Sequence, residues 1–475
     1  MSFTFEDKIR SIFYPQSVAI VGASNDERKL GGLAARAILR SGFKGRVFLV
    51  NTRSRSNGEN DGHKIYSSIA SLPQEVESFV FVVPREEIPE SLEAAGQKGG
   101  KVAVIIASGF QEVGEAGKQW QETVRQIAER YGMIIVGPNS VGVVNFHNGL
   151  NATFAHTWCE LFSPGGIAVL TQSGGVGQTL MSQLANHNLG VSKYIHLGNR
   201  ANLEFADMLR YFEQDEDTRI VILFLEGTDD ARRLYRAMRS CASKKKIVAL
   251  HGGVTGKGSR AALSHTGSMA GVRRIYQGAF RQAGVLEVET TEEAADVAKA
   301  LYMLPPLKNP GAGVFVFTHT AGPSILATDV LSERGVPLPE PPERARRALE
   351  SFLPDFASLQ NPIDMGGGAA FNHYMYVKAM DAILAEDTTG AAIIIYSHTN
   401  DPAFRFPVEA VREVRDKYAK PVMVSIVASA EVIKHEMNEW EQAGFPVYLS
   451  PERAAKVMAR FYQFYRLRHL RGQEL

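Results

Sequence analysis

Ile167-Ala-Val-Leu-Thr-Gln-Ser-Gly-Gly-Val-Gly177 and Val314-Phe-Val-Phe-Thr-His-Thr-Ala-Gly-Pro-Ser324 read alike from end to end, with Thr171 falling on Thr318. Each is a short apolar strand, a Thr-x-Ser/Thr-small-Gly turn and the beginning of a helix. The first amides of a helix have no partner inside it, and together with the helix dipole they make a ready anion site. Ser173, Gly174, Gly175 and Gly177 in one stretch, and Thr320, Ala321 and Gly322 in the other, are therefore phosphate-binding candidates. The far ends match too: Thr290-Thr-Glu-Glu-Ala-Ala-Asp-Val297 resembles Ser450-Pro-Glu-Arg-Ala-Ala-Lys-Val457. The two segments read as copies of one unit, and the extra length of the second is assigned to the Phe352–Phe371 region.

Outward from these turns, Val- and Ile-rich runs alternate with longer amphipathic stretches. The runs begin with Val18–Val21, Val47–Val50 and Phe79–Val83 and continue through Ile220–Leu225 to Val422–Ile426. Near-continuous apolar strands separated by helices are the mark of parallel sheets buried on both faces, so the fold class is α/β. Turn-rich stretches at Phe162–Gly166 and Leu304–Gly313 divide the chain into segments of roughly 1–150, 151–305 and 306–475. The 475 residues accommodate about three domains of ordinary size.

Hydrophobic residues make up 45% and charged residues 22%, the balance of a soluble globular protein. A net charge of +1 argues against a nucleic-acid partner. The apolar runs fall far short of the roughly 20 residues a membrane helix needs, and the N-terminus has no signal-like stretch. No membrane partner and a cytoplasmic location are expected. Cys159 and Cys241 have no paired spacing, so no disulfide framework is indicated, and no metal site is expected on this chain.

The first segment opens with Ser17-Val-Ala-Ile-Val-Gly-Ala-Ser24, a strand running into a Rossmann-type turn at Gly22, Ala23 and Ser24, with a helix following. A dehydrogenase usually places an acid at the end of the second strand. Here that position reads Asn51-Thr-Arg-Ser-Arg55, so Arg53 and Arg55 favour a phosphorylated ribose, in NADP or coenzyme A. Further turns at Val83-Pro84, Ser108-Gly109 and Pro138-Asn139 lie at strand C-termini, where open parallel sheets bind ligands.

His265 stands in Ser264-His-Thr-Gly267, among small and hydroxylated residues. An imidazole there is suited to carry a phosphoryl group, with Ser264 and Thr266 hydroxyls for its oxygens and Gly267 allowing close backbone approach.

Together these motifs resemble the NDP-forming acyl-CoA synthetases, a superfamily that includes succinyl-CoA synthetase, over nearly the whole chain. The resemblance is to the α subunit, and it implies a CoA-binding Rossmann domain followed by two flavodoxin-like domains. It makes His265 the phosphohistidine and Glu226, in Leu225-Glu-Gly227, its partner carboxylate. Gly22, Ala23, Ser24, Asn51, Arg53, Arg55, Val83, Pro84, Ser108, Gly109, Pro138 and Asn139 become coenzyme A contacts, and Asn361 and Asp364 of the Asn-Pro-x-Asp loop line the acyl site. The implied reaction joins a small carboxylic acid to CoA at the expense of ATP, through an acyl phosphate and phosphohistidine. No segment of the chain reads as an ATP-grasp module. ATP or ADP with Mg is therefore expected on a separate β-type subunit, in an α2β2 heterotetramer.

The chain also departs from the family pattern. The usual Lys-x-Gly-Arg before the histidine loop reads His251-Gly-Gly-Val254, Ala-Asp-Val reads Ala201-Asn-Leu203, and Asn-Ala-Gly-Gly-Pro reads His319-Thr-Ala-Gly-Pro323. Two other readings stay open on the sequence: a non-catalytic CoA sensor or scaffold on the same fold, and an NADP-dependent oxidoreductase.

Overall fold

The computed structural model describes residues 5–52, 59–60, 62–253, 255, 257, 273–398 and 405–472. They form two compact units, Met1–Ala295 and Asp296–Leu475.

The first unit holds two seven-stranded sheets. In the first, β1 (Ser17–Val21), β2 (Arg46–Val50), β3 (Glu59–Asn60), β4 (His63–Tyr66), β5 (Ser78–Phe81), β6 (Val102–Ile105) and β7 (Ile134–Val136) lie in the order β3-β4-β2-β1-β5-β6-β7. Apart from β3, which pairs antiparallel with β4, this is the doubly wound Rossmann order. Every residue of β1, β5, β6 and β7 is buried, as the unbroken apolar runs require of strands covered on both faces.

The second sheet runs β14-β13-β12-β10-β11-β8-β9. It is built from β8 (Gly142–Asn145), β9 (Leu150–Thr153), β10 (Pro164–Thr171), β11 (Val191–His196), β12 (Ile220–Leu225), β13 (Lys246–His251) and β14 (Leu286–Val288). Its five parallel strands have the flavodoxin order, with the direction of winding reversing between β10 and β12. The β8–β9 hairpin extends the edge by pairing antiparallel with β11. The expected division at residues 150 and 151 thus cuts through β9, while the change of sheet comes before Gly142. Buried Asn145, Asn151 and Thr153 make these short strands look like loop in the sequence.

β11 is absent from the apolar runs for a related reason. Its Lys193 is fully buried and holds both carboxylate oxygens of Asp215 at 2.9 Å and Asp217 at 2.9 Å. Tyr14 donates to the same Asp217 at 2.6 Å. A strand whose interior carries a paired cation has no apolar signature to read.

The second unit is a five-stranded parallel sheet of order β16-β15-β17-β18-β19. It comprises β15 (Gly313–Thr318), β16 (Ile363–Asp364), β17 (Thr389–Ser397), β18 (Val422–Val427) and β19 (Val447–Tyr448). In chain order this repeats the parallel part of the second sheet, strand for strand. The final helices match in their caps as well: Thr290 Oγ1 accepts the Glu293 amide at 3.0 Å, and Ser450 Oγ accepts the Arg453 amide at 3.1 Å.

The length difference is not one insertion. The second copy uses more chain between its first and central strands, where helix Glu343–Glu350 is added. It uses less between its fourth and fifth, where the first copy carries the segment containing His265.

Candidate functional site

The turn after β10 and the turns after β6 and β7 converge in the first unit. A cavity of about 390 Å³ is lined by Ser108 and Asn139 from the first sheet and by Gln172, Ser173, Gly174 and Gly175 from the second, with His196 and Asn199. Three groups of residues singled out at separate places in the sequence therefore face one space. The helix Gly174–Asn186 starts here, its Ser173 hydroxyl accepting the Val176 amide at 3.5 Å. The amides of Gly174 and Gly175 belong to its first turn, which has no intrahelical acceptor to offer them.

The glycines of this turn serve different ends. A Cβ on Gly177 would lie 2.5 Å from the Tyr194 hydroxyl oxygen, and one on Gly174 would lie 2.8 Å from Val141. Those two are glycine because the protein packs against them. A Cβ on Gly175 would meet nothing within 4 Å, so this exposed glycine opens outward and is not required by packing.

Glu226 follows β12, at the point where the order of the sheet reverses. Gln172 Oε1 accepts the Glu226 amide at 2.8 Å and the Gly227 amide at 3.3 Å, tying the carboxylate-bearing loop to the cavity wall. His196 braces the other side. Its Nδ1 accepts the Val141 amide at 2.8 Å, so Nε2 carries the proton and donates to the Gln172 carbonyl at 2.8 Å. Neither Gln172 nor His196 was among the sequence candidates. Gln172 stands inside the quoted turn, but a lone glutamine has no motif weight, and His196 lies on the strand that polar residues concealed.

The first-sheet candidates are placed less simply. The amides of Gly22 and Ala23 both donate to the Val50 carbonyl, at 2.9 and 3.0 Å, and are not open to a phosphate. The helix expected directly after Ser24 begins only at Leu30. Asn51 and Asn60 hold the intervening turn, donating to the carbonyls of Ala23 and Ser24 at 2.9 Å each. The Gly109 amide is taken by Glu112 at 2.5 Å, and Arg85, next to Val83-Pro84, donates to the Gly109 carbonyl at 2.5 Å. The Gly137–Asn139 turn is tied to the loop after β11: the Asn199 amide donates to Pro138 at 2.9 Å and the Ala201 amide to Gly137 at 3.0 Å. That contact is why position 198 is glycine, since a Cβ there would lie 2.2 Å from the Pro138 carbonyl oxygen. Arg53, Arg55, Ser264, His265, Thr266 and Gly267 lie outside the described residues.

The second unit repeats the threonine bonds of the turn, though Thr320 makes no side-chain cap bond like that of Ser173. Thr171 Oγ1 donates to the Ser173 carbonyl at 2.8 Å and accepts its amide at 3.2 Å, and Thr318 does the same to Thr320 at 2.9 and 2.9 Å. The helix Ala321–Glu333 follows, and a Cβ on Gly322, like one on Gly175, would meet nothing within 4 Å. His319 replaces Gln172, its Nε2 accepting the Ser397 hydroxyl at 2.8 Å while Nδ1 bonds the Tyr376 hydroxyl at 3.0 Å. Burial, with His373 nearby, pushes the His319 imidazole down to about 4, so it is neutral. Asn361 spends its amide on backbone: Nδ2 donates to Val314 at 2.8 Å and Pro339 at 3.1 Å, and Oδ1 accepts Val316 at 3.1 Å. Asp364 ends β16, where Oδ1 accepts the Gly366 amide at 3.0 Å.

Residues 16–145 match the family described as CoA binding domain, residues 164–301 the succinyl-CoA ligase like flavodoxin domain, and residues 314–471 the Ligase-CoA domain. The α subunit of ADP-forming acetate–CoA ligase I from Pyrococcus furiosus is 36% identical over 96% of this chain and 97% of its own length. The chain belongs to the NDP-forming acyl-CoA synthetase family. Within that family it is similar in fold to the dinucleotide-forming acetyl-coenzyme A synthetase 1 of Ca. Korarchaeum cryptofilum, solved with phosphate and ADP. That structure has a TM-score of 0.88 and 32% identity, covering 98% of this chain and 99% of that one. The ADP-forming acetate–CoA ligase of Methanocaldococcus jannaschii is 34% identical over 96% of this chain, which spans 63% of that longer protein. This NDP-forming acyl-CoA synthetase chain thus corresponds to the α subunit, and relatives named as α subunits imply a separate partner subunit. Among the described residues, no helix is long and apolar enough to cross a membrane.

Proposed function

We propose that this chain is the phosphoryl-carrying α-type subunit of a reversible, ADP-forming acyl-CoA synthetase that activates a small carboxylic acid. Phosphate displaces CoA from the acyl-CoA to give an acyl phosphate, and His265 takes the phosphoryl group, releasing the carboxylate. The phosphohistidine then passes the group to ADP on an ATP-grasp β-type partner in an α2β2 assembly. Glu226 holds the imidazole in the nucleophilic tautomer and stabilises the cation formed, as an acid does beside a catalytic histidine. The helix beginning at Gly174 stabilises the phosphoryl charge with its first-turn amides and dipole.

The observation that carries this reading is the cavity in which Ser108 and Asn139 meet Ser173 and the helix start at Gly174 and Gly175. The turns expected to hold coenzyme A and the turn expected to hold phosphate share one space, as a phosphate-for-CoA exchange requires. The open Cβ direction at Gly175 leaves room for a ligand at that helix start. Family membership leaves the NADP-dependent oxidoreductase reading without support.

Incubation with radiolabelled acetyl phosphate is expected to give an acid-labile, base-stable phosphate on His265, absent from His265→Asn and formed roughly 100-fold more slowly in Glu226→Gln. A folded protein that binds CoA yet takes no label from any acyl phosphate overturns the reading in favour of a CoA sensor.

A further inference from the structure

The mechanism above does not use His251, a buried histidine of the first unit. His251 is the last residue of β13 and only 6% exposed, and among the described residues neither ring nitrogen has a hydrogen-bond partner. A native protein rarely leaves such groups unsatisfied without a reason. Its place in the sheet is beside the loop that carries the partner carboxylate. His251 pairs in register with Leu225, the Gly252 amide donates to the Leu225 carbonyl at 2.9 Å, and a Cβ on Gly252 would lie 3.2 Å from Glu226 Cγ.

The ring is held rigidly without using its nitrogens. It stacks on Tyr276 of helix Arg273–Ala283, ring centroids 3.9 Å apart at 28°. Burial first, and then the charge of Arg273, pushes the imidazole down to about 4, so at neutral pH it keeps one N–H donor and one lone pair. Arg273, which also pairs with Glu289 at 3.8 Å, brings positive charge to the neighbourhood of the ring. Hydrogen phosphate and phosphoryl esters offer both acceptor oxygens and negative charge. They match a single fixed donor near a guanidinium at the carboxyl edge of the sheet.

We propose that His251 is a phosphoryl-binding residue, its ring N–H donating to an oxygen of the phosphate or phosphoryl group as that group passes Glu226. This rests on the acyl-CoA synthetase reading for the identity of the anion, while the site consists of His251, Tyr276, Arg273 and the Glu226 loop.

The test uses the full chain with histidine ring nitrogens labelled for NMR and inorganic phosphate as the probe. Phosphate is expected to shift the His251 ring signals saturably. His251→Phe, which keeps the stack and removes both nitrogens, is expected to raise the phosphate Kd and the KM for acetyl phosphate about tenfold. His251→Gln is expected to restore part of the loss, and a thermal melt identifies any variant that fails to fold. Unmoved His251 signals in saturating phosphate, or an unchanged phosphate Kd in folded His251→Phe, overturn the proposal. Phosphate titrations of His265→Asn separate the two readings. A His251 response with no label ever forming on His265 sinks the synthetase reading alone, and a labelled His265 with a silent His251 sinks this one alone.

Discussion

The glycines of the Ser173–Gly177 turn show how little a motif says about each of its members. Gly175 faces open space, so Gly175→Ala should fold normally, and on the proposed function it should lose at least tenfold in the rate of histidine labelling. Gly177 faces Tyr194 and Thr171, so Gly177→Ala should instead cost about 1–3 kcal/mol of stability by overpacking. Urea unfolding together with the labelling rate separates the two, and equal behaviour of the pair would contradict the packing difference. Histidines set the acid limit at the same scale. The folded pKa of His251 and of His319 is about 4 against an ordinary 6.5, so the unfolded chain binds the proton first as pH falls. Stability is therefore undiminished above 6.5 and is lost progressively down to about 4, by up to about 3 kcal/mol for each histidine. His319→Gln, which copies Gln172 of the other unit, should flatten the fall in melting temperature over that window for the second unit.

Among the elements, β11 is held by charge where its neighbours are held by apolar burial. Lys193 at full burial is tolerated only because Asp215 and Asp217 surround its ammonium, and Lys245 in turn donates to the Asp215 and Thr218 carbonyls at 2.6 and 2.7 Å. Lys193→Met removes the cation and leaves Asp215 buried without it, a loss of about 3–5 kcal/mol. Histidine labelling per folded molecule should not change, since these groups lie at the opposite end of the strand from His196. Chemical denaturation checks the first statement and the acetyl phosphate assay the second. That the second and third segments are copies of one unit was legible from the Thr171 and Thr318 turns together with the matching ends at Thr290 and Ser450, and the shared strand order came from the structure. The added helix Glu343–Glu350 was not legible, because its short, charged sequence carries no marker of where it docks.

At the scale of the whole molecule, the chain alone should accept phosphate on His265 and stop there. ATP synthesis from acetyl phosphate and ADP should appear only when an ATP-grasp partner is added, and ATP made by the isolated chain would contradict the division of labour. Local chemistry was enough to establish the α/β class, the Rossmann-type first turn and the paired helix-starting turns, while Glu226 was singled out only through the family resemblance. Each of the first three depends on side-chain period or turn residues within about ten positions, which a sequence displays directly. Packing decided the rest. It spent the Gly22 and Ala23 amides on Val50, put Asn361 to work holding β15, gave the β8–β9 hairpin to the second sheet, and brought Ser108, Asn139 and Ser173 to one cavity. Those outcomes turn on which distant backbone groups compete for each donor once the sheets have formed, and no local pattern encodes that competition.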